Sequence, residues 1–443
     1  MIKFPKKIFS GLDEHTTEVI RTSFPSVIVR VVGMLAALFV SIFLGRTLGA
    51  EGLGVISLAN KIVTLFLVVT MLGMKEVIIK RVAIGYENKN WQLVGDSIYT
   101  SSVINGLLSL TLALTGILLS SWLSNRVFDE PNLRIPLIIG LVALIPQAVS
   151  RIFGAGINGL KKIWQSTLAD EILNICVVAL LLGAIYLSGA EINVILVASV
   201  YAIGRLVVAL VLSAYWKKLY RFKGKRNFIA GPMLKMAMPL LLVSSSSLIA
   251  SSADTVMLGW LGTTREVGLY DVAFRTAIMM NFFLYVSNSA LAPKIASLFA
   301  DGKVADMENM VKRVTGGLLI VAVLGLSLFI IGGKLFLSVW GLEFVEAYMV
   351  LIIIGAGLFF KVSTGSANLL LVMCGQEKVY GRIAFSFLLL NLILNFFMIK
   401  SWGIIGAALA TAITVSGESI TTMIFAWKRL GVLTLPFCIT PTE

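Results

Sequence analysis

The chain has 443 residues, of which 58% are hydrophobic and only 14% are charged, and its mean hydropathy is +0.94. These values lie outside the range of water-soluble domains of this length and exclude a soluble globular protein. Apolar runs of about 20 residues, the length that crosses a bilayer as a helix, recur along the chain and do not alternate polar and apolar residues as barrel strands do. The composition therefore predicts an all-α polytopic membrane protein.

The apolar runs fall into two groups of six. Residues 1–22 predict an amphipathic lead-in on the membrane surface. The predicted spans are 23–45, 54–75, 94–124, 134–156, 164–188 and 192–215, then 233–261, 267–292, 314–333, 345–373, 380–399 and 402–427. The predicted domains are the lead-in (1–22), an N-terminal six-helix bundle (23–216), a basic cytoplasmic connector (217–232), a C-terminal six-helix bundle (233–428) and a cytoplasmic tail (429–443).

The basic residues in the loops predict the orientation of the chain. With the N-terminus in the cytoplasm, 24 of the 37 lysines and arginines fall in cytoplasmic segments and six in the opposite loops. Positive charge accumulates on the cytoplasmic side of membrane proteins. Both termini are therefore predicted to be cytoplasmic, and the net charge of +14 is interpreted as a topology signal rather than as a nucleic-acid site.

A stretch of the first group, residues 44–83, returns 214 residues later in the second. The coinciding pairs are Leu44/Leu258, Gly45/Gly259, Gly54/Gly268, Ala59/Ala273 and Lys80/Lys294, and Lys61 falls on Arg275. The glycines at 45, 49, 52 and 54 predict a polar hairpin between two spans. Because each half has six spans, the halves are predicted to enter the membrane in the same sense, as parallel repeats do.

Seven basic residues remain at membrane depth. They are Arg30, Lys61, Arg151, Arg205, Lys235, Arg275 and Lys361. A cation that faces lipid at mid-depth costs at least about 3 kcal/mol, so such residues are expected to face a protein interior. Lys235, and less easily Arg205, is near enough to the cytoplasmic face to extend its charge there. The other five predict a central cavity for an anionic substrate, because arginine and lysine are the usual partners of phosphate.

Three acidic residues, Asp254, Asp271 and Glu418, also fall at membrane depth. Asp271 and Arg275 lie four residues apart on one helix face, so they could instead form a structural ion pair that removes Arg275 from substrate binding. Asp254 and Glu418 are candidates for the binding of a coupling ion, H+ or Na+. His15 is the single histidine, and the three cysteines are isolated. The sequence therefore predicts no metal site, disulfide framework or cofactor.

Several stretches resemble one family in its order along the chain. They are LGRTLGAEGLGVISLANKIV after the first span, ADTVMLGWLG (253–262), EVGLYDVAFR (266–275), APKIASLFA (292–300), LLLVMCGQEK (369–378) and WGIIGAALATAI (402–413). These stretches resemble the Wzx-like flippases of lipid-linked oligosaccharides, which belong to the multidrug/oligosaccharidyl-lipid/polysaccharide (MOP) exporter superfamily. None of the stretches is a catalytic motif, so the chain is not expected to be an enzyme.

The resemblance implies a MATE/MOP-like fold, with two six-helix bundles related by a pseudo-two-fold axis around a central cavity of alternating access. The implied cargo is an undecaprenyl-diphosphate-linked oligosaccharide, moved to the outer leaflet of the bacterial inner membrane for O-antigen, capsule or exopolysaccharide assembly. Arg30, Lys61, Arg151, Arg275 and Lys361 would then bind the diphosphate and sugars. A monomer is expected, in contact with membrane lipids and with polysaccharide polymerase machinery.

Two other functions compete with this interpretation. A multidrug/cation antiporter of the same superfamily would need acidic cavity walls, and five basic residues against three acidic ones at depth disfavour it. A membrane glycosyltransferase or polymerase would need paired carboxylates or a large outer loop. The largest predicted outer loop, 125–133, is too short for that.

Overall fold

The computed structural model describes residues 14–220 and 224–435, apart from the side chains of residues 14–28, 30, 170–171, 239, 242–245 and 247. Within these ranges the chain forms fifteen α-helices joined by short turns, and no strand. The helices are α1 (Glu14–Met71), α2 (Met74–Glu87), α3 (Trp91–Trp122), α4 (Arg134–Val142), α5 (Leu144–Gly159), α6 (Ile163–Thr167), α7 (Asn174–Leu187), α8 (Val194–Leu219), α9 (Ala230–Leu261), α10 (Thr264–Ile278), α11 (Asn281–Ala300), α12 (Val304–Ser338), α13 (Tyr348–Ser363), α14 (Ala367–Met373) and α15 (Glu377–Leu430). The predicted all-α fold is confirmed.

In the described part of the chain, seven helical runs are long and apolar enough to cross a membrane, or eight when α10 and α11 are counted as one bent span. The bend between those two helices is 46°. Backbone groups in hydrocarbon must be paired within the protein, and continuous helices meet that requirement. The chain is a multi-pass membrane protein.

Helices α1 and α15 are each too long to be one span. They have 58 and 54 residues, which at 1.5 Å per residue is roughly 80 Å or more, about twice the thickness of a bilayer with its headgroups. Each contains a single glycine with non-helical dihedral angles, Gly49 (φ 69°, ψ −176°) and Gly403 (φ 53°, ψ −132°). A positive φ at these positions is available to glycine at little cost, so the chain turns there.

The chain reverses at both glycines. Gly406 and Met398 lie on either side of Gly403. The backbone carbonyl of Met398 is so close to Gly406 that a Cβ added to Gly406 would collide with it. Around Gly49, Ser41 and Lys61 line one small cavity although they lie 20 residues apart. Both long helices are therefore helical hairpins. A polar hairpin was predicted across residues 45–54, but within this stretch only Gly49 departs from helical dihedral angles.

Gly54 of that stretch and Gly268, its counterpart in the repeat, serve close packing instead. A Cβ on Gly54 would collide with the backbone carbonyl of Thr264, and a Cβ on Gly268 would collide with the carbonyl of Ala50. These two contacts exchange under the 214-residue shift of the sequence repeat, as contacts do across a two-fold axis. The repeated glycines thus mark the place where the two halves of the chain meet backbone to backbone.

Two glutamates reinforce this junction from opposite halves. The Glu343 carboxylate accepts a hydrogen bond from the backbone N–H of Ala50 at 2.9 Å, where α1 resumes after its reversal. The Glu130 carboxylate accepts one from the hydroxyl of Thr264 at 2.7 Å, at the start of α10. The first amides of a helix lack partners within it, so the Glu343 carboxylate stabilises the start of the second arm of α1. Glu130 instead bonds a side chain in the first turn of α10. Each half thus supplies one carboxylate to the other.

Other predicted spans are interrupted in the structure. The span predicted over 54–75 stops at Met71, and the helix resumes at Met74 after two residues with positive φ, Leu72 and Gly73. A Cβ on Gly73 would lie 2.6 Å from the carbonyl oxygen of Ala237, so this break lets α9 approach closely. The span predicted over 164–188 contains a π-helical turn, Leu168–Leu173.

The close contact at Gly54 can be tested by comparing the effects of two glycine-to-alanine substitutions on thermal stability. Replacing Gly54 by Ala is expected to lower the thermal stability of the purified protein, because overpacking a tight contact costs about 1–3 kcal/mol. Replacing Gly106 by Ala in α3, where a Cβ would meet nothing within 4 Å, is expected to leave stability unchanged or raise it, since alanine favours helices. Melting curves in detergent check this, and equal shifts for the two variants would contradict the backbone contact.

Candidate functional site

A polar cluster lies where the second arm of α1 packs against α10. The Asp271 carboxylate, 4% exposed, accepts a hydrogen bond from the Ser57 hydroxyl at 2.9 Å and one from Arg275 Nε at 2.6 Å. The ion-pair alternative for Asp271 and Arg275 is therefore realised. Lys61 Nζ donates to the backbone carbonyl of Ser251 in α9 at 2.7 Å. One cation from each half, Lys61 and Arg275, thus reaches the same cluster.

The cluster surrounds a small cavity of about 50 Å³. Asn60, Tyr201 and the two cations line it, and Arg205 donates to the Asn60 amide oxygen at 2.8 Å. Arg205 is only 9% exposed, so it lies in the protein interior rather than reaching the membrane surface. A cavity of this size holds one or two waters and has no room for a sugar in this conformation.

Arg151 lines a larger cavity of about 420 Å³. Helices α1, α2, α5 and α9 enclose it, and the described residues of its polar lining are Thr64, Lys75, Glu76, Gln147 and Arg151. Thr64 lies one helical turn beyond Lys61 in α1, so this cavity lies next to the polar cluster. Its volume is within the range of small-molecule binding sites.

Lys361 lies apart from the other predicted cations. It lines a narrow cavity of about 40 Å³ inside the C-terminal half, together with Tyr380 and Glu418. The Tyr380 hydroxyl donates to Glu418 at 3.4 Å. The structure thus brings together Lys61 and Arg275, places Arg151 and Lys361 in two other cavities, and the Arg30 side chain lies outside the described residues.

Asp254 is the centre of a buried hydrogen-bond network in the C-terminal half. Its carboxylate accepts from the Tyr270 hydroxyl at 3.0 Å, the Thr411 hydroxyl at 2.7 Å and the Asn395 amide at 2.6 Å. All four residues are nearly inaccessible. No ion pair among the described residues involves Asp254. A carboxylate buried without a cation is costly unless it binds a proton or a metal ion.

The partners of Asp254 were not predicted from the sequence. Asn395 accompanies Asn391 four residues earlier in α15, and the Asn395 amide donates to the Asn391 oxygen at 3.0 Å. The Asn395 oxygen has no donor within the described part of the chain. Two asparagines one turn apart in an otherwise apolar run are the signal that could have identified this network, because polar groups inside a membrane need partners.

The fold resembles solved transporter structures over nearly the whole chain. One is a multidrug resistance MATE family transporter of the MOP superfamily in its inward-facing conformation, with a TM-score of 0.75 and 13% identity over 91% of this chain and 98% of that one. Another is the lipid II flippase MurJ in an inward closed conformation, with a TM-score of 0.72 and 15% identity over 92% and 87%. At these identities the likeness shows the fold alone.

The sequence also resembles curated proteins over part of its length. A probable low-salt glycan biosynthesis flippase, Agl15 of Haloferax volcanii, is 25% identical over 197 residues. That alignment spans 43% of this chain and 42% of the relative, less than half of either. The family described as polysaccharide biosynthesis protein matches residues 19–299. This match confirms the resemblance noted in the sequence: the chain belongs to the polysaccharide biosynthesis protein family and has the fold of the MOP superfamily.

Proposed function

We propose that the protein is a flippase that moves an undecaprenyl-diphosphate-linked oligosaccharide repeat unit from the cytoplasmic to the outer leaflet. The pathway would be O-antigen, capsule or exopolysaccharide assembly, with polysaccharide polymerase machinery as a partner. The observation that carries the proposal is the placement of Lys61, Arg151 and Arg275 around two neighbouring cavities between the halves. In a polysaccharide biosynthesis protein, partly buried cations that line cavities at membrane depth are suited to the diphosphate of a lipid carrier.

The three cations are not equivalent in this role. Arg275 is paired with Asp271 at 2.6 Å, so part of its charge is already neutralised. Within the described part of the chain, Lys61 donates a hydrogen bond to a backbone carbonyl and not to a carboxylate, and Arg151 lines the cavity that has room for a ligand. Lys61 and Arg151 are therefore proposed as the main phosphate contacts, with Arg275 supporting them. Lys361 and Arg30 remain proposed contacts for other stages of transport.

We further propose twelve spans in two bundles. The reversals at Gly49 and Gly403 divide α1 and α15 into two spans each, and the short helices α4 to α7 pair into single crossings. This reading supports bundles at 23–216 and 233–428, a basic cytoplasmic connector at 217–232, and termini (1–22 and 429–443) on the cytoplasmic side of the bacterial inner membrane. The protein would act as a monomer embedded in membrane lipids.

The transport cycle would be one of alternating access. In this topology the contact of Gly54 with Thr264 and of Gly268 with Ala50 lies on the outer side, and the cavity beside Arg151 lies inward of it. The structure is then interpreted as an inward-facing state. Reaching the outer leaflet requires the halves to separate at the glycines while they close beneath the cavity.

Asp254 is proposed as the coupling site, for H+ or Na+. Three side chains already hold its carboxylate oxygens, and the unbonded oxygen of Asn395 lies in the same network. Carboxylate, hydroxyl and amide oxygens are ligands that hard cations prefer. Glu418 is the second candidate, in the cavity it shares with Lys361.

A drug/cation antiporter is the competing function. The similarity to a multidrug transporter is a similarity of fold and gives no information about the substrate. A cationic drug would have to enter a cavity lined by Arg151 and Lys75, where like charges repel it. We therefore favour the flippase.

The cationic mechanism predicts the effect of neutralising single residues. Lys61→Gln and Arg151→Gln are each expected to slow the flipping of a fluorescent lipid-linked oligosaccharide in proteoliposomes about tenfold or more, because a charge-assisted hydrogen bond contributes about 1.5–3 kcal/mol. Arg30→Gln is tested in parallel. Arg126→Gln, an exposed arginine outside these cavities, is the matched control and is expected to have no effect. Undiminished flipping in all three variants would refute the mechanism.

If Asp254 couples transport to an ion gradient, its replacement should change how the flipping rate responds to that gradient. Asp254→Asn keeps the shape of the side chain but removes the charge, so flipping should no longer respond to an imposed Na+ or pH gradient. Asp306→Asn, an exposed acid in α12, should respond as the wild type does. Measuring the initial rate with and without each gradient separates the two ions. A gradient response retained by Asp254→Asn and lost by Glu418→Gln would transfer the role to Glu418.

A further inference from the structure

The connector between the two halves is bound to α3 over part of its length. One face of α3 carries three polar side chains at intervals of four residues, and we call these three residues, Gln92, Asp96 and Thr100, the α3 clamp. Opposite them, the segment 225–229 is not helical and leads directly into α9, which begins at Ala230. Two residues of extended chain span about 6.6 Å and four helical residues rise about 6 Å, so alternate residues of the segment can meet successive residues of the clamp.

Asp96 provides the central contact of the clamp. The residue is only 7% exposed, and its carboxylate accepts hydrogen bonds from the backbone N–H of Asn227 at 2.8 Å and from the Asn227 side-chain amide at 3.4 Å. The Gln92 amide donates to the same carboxylate at 2.8 Å. A nearly buried carboxylate that loses its donors is costly, so this contact resists separation of the connector from α3.

The neighbours of Asp96 in the clamp hold the connector on either side of that contact. The Gln92 amide also donates to the backbone carbonyl of Lys225 at 2.8 Å. The Thr100 hydroxyl accepts a hydrogen bond from the backbone N–H of Ile229 at 3.0 Å. Three alternate residues of the connector are therefore bound to one helix of the N-terminal half.

The first turns of α9 pack against the N-terminal half as well. Met233 and Ala237 are completely buried, in an apolar cluster whose other buried members all belong to the N-terminal half. The Ala237 carbonyl also approaches Gly73 of that half, where a Cβ would lie 2.6 Å from it. Because α9 begins one residue after Ile229, the clamp and this packing act on one continuous piece of chain.

The last turns of α9 are bound to the opposite half. Asp254, two turns before the end of the helix, accepts hydrogen bonds from residues of α10 and α15. A flexible connector would leave the whole of α9 free to move with the C-terminal half. The contacts instead attach the beginning of the helix to one half and its end to the other.

We propose that the α3 clamp makes the beginning of α9 a part of the N-terminal half, so that the connector is a fixed pivot between the halves and not a flexible linker. When the halves move relative to each other, the segment 225–229 and the first turns of α9 stay with α3. The motion is then taken up within α9. This inference goes beyond the proposed function and does not depend on which substrate is moved.

The pivot is tested by measuring which half the beginning of α9 moves with. A spin label at Gly231→Cys, an exposed position where a Cβ would meet nothing within 4 Å, is paired with a label at Ile84→Cys in α2 or at Ala305→Cys in α12, both exposed. The three cysteines of the chain are first replaced by alanine. Pulsed EPR on the full-length protein in lipid nanodiscs is expected to give a narrow distance distribution for the α2–α9 pair and a broader one for the α9–α12 pair. Only the second pair joins bodies that move relative to each other.

Releasing the clamp should widen the first distribution. Asp96→Ala combined with Thr100→Val removes the acceptors for two backbone amides, so the α2–α9 distribution should approach the width of the α9–α12 one. Thr111→Val is the matched control and should change neither distribution, since Thr111 is an exposed residue of α3 whose hydroxyl donates within that helix. If the double variant does not fold, Thr100→Val alone is used, and hydrogen exchange of the Ile229 amide should become about tenfold faster on loss of its hydrogen bond.

Each failure has a distinct meaning. An α2–α9 distribution as broad as the α9–α12 one in the unaltered clamp overturns the pivot, because the beginning of α9 would then not move with the N-terminal half. An α2–α9 distribution that stays narrow after release of the clamp, or an Ile229 amide whose exchange does not change, overturns the role of the clamp. None of these measurements uses a lipid-linked oligosaccharide, so a failure of the proposed flippase activity is recognised separately.

Discussion

The backbone contact between α1 and α10 is the constraint on which the rest of the structure depends. Glycines at 54 and 268 let carbonyl groups of the opposite half approach where any side chain would collide. Because membrane helices gain little from excluding water, close van der Waals packing of this kind is a main source of their association. The contact also fixes which side chains meet next to it. Ser57 and Asp271, one turn further along, are joined by a hydrogen bond for that reason.

Charge in the interior follows from this geometry. The junction brings Lys61 and Arg275 to one cluster, and Asp271 offsets part of their repulsion. Arg151 lies farther along, beside a cavity that can accept a ligand. The C-terminal half carries its own polar network around Asp254, whose partners Tyr270, Asn395 and Thr411 all belong to that half. The polar interior is therefore divided into a region between the halves that holds several cations and a carboxylate network within one of them.

Much of the fold could be predicted from the sequence, and the reasons are physical. Apolar runs long enough to cross hydrocarbon leave few alternatives to helices, and the 214-residue repeat predicted which positions would be equivalent. The functions of individual glycines could not be predicted. Glycines that permit a turn and glycines that permit contact look alike in a sequence. Of Gly45, Gly49, Gly52 and Gly54, only Gly49 reverses the chain.

The candidate site was predictable in its residue types but not in its grouping. Cations at membrane depth were evident because they are costly there, yet whether Lys361 faces the same cavity as Arg151 depends on helix rotation, which the apolar pattern of a buried helix does not define. The pairing of Asp271 with Arg275 was predictable as an alternative from the four-residue spacing.

The exchanged glutamates, Glu343 at Ala50 and Glu130 at Thr264, have a consequence for how the two halves come apart. A rotation of one half as a rigid body lengthens both hydrogen bonds at once, because each bond joins the two halves. Unless the rotation axis passes through one of the two contacts, neither bond is lost while the other persists. Separation at this face is thus expected to be a cooperative, all-or-none event, and water entering the gap would replace both acceptors in the same step.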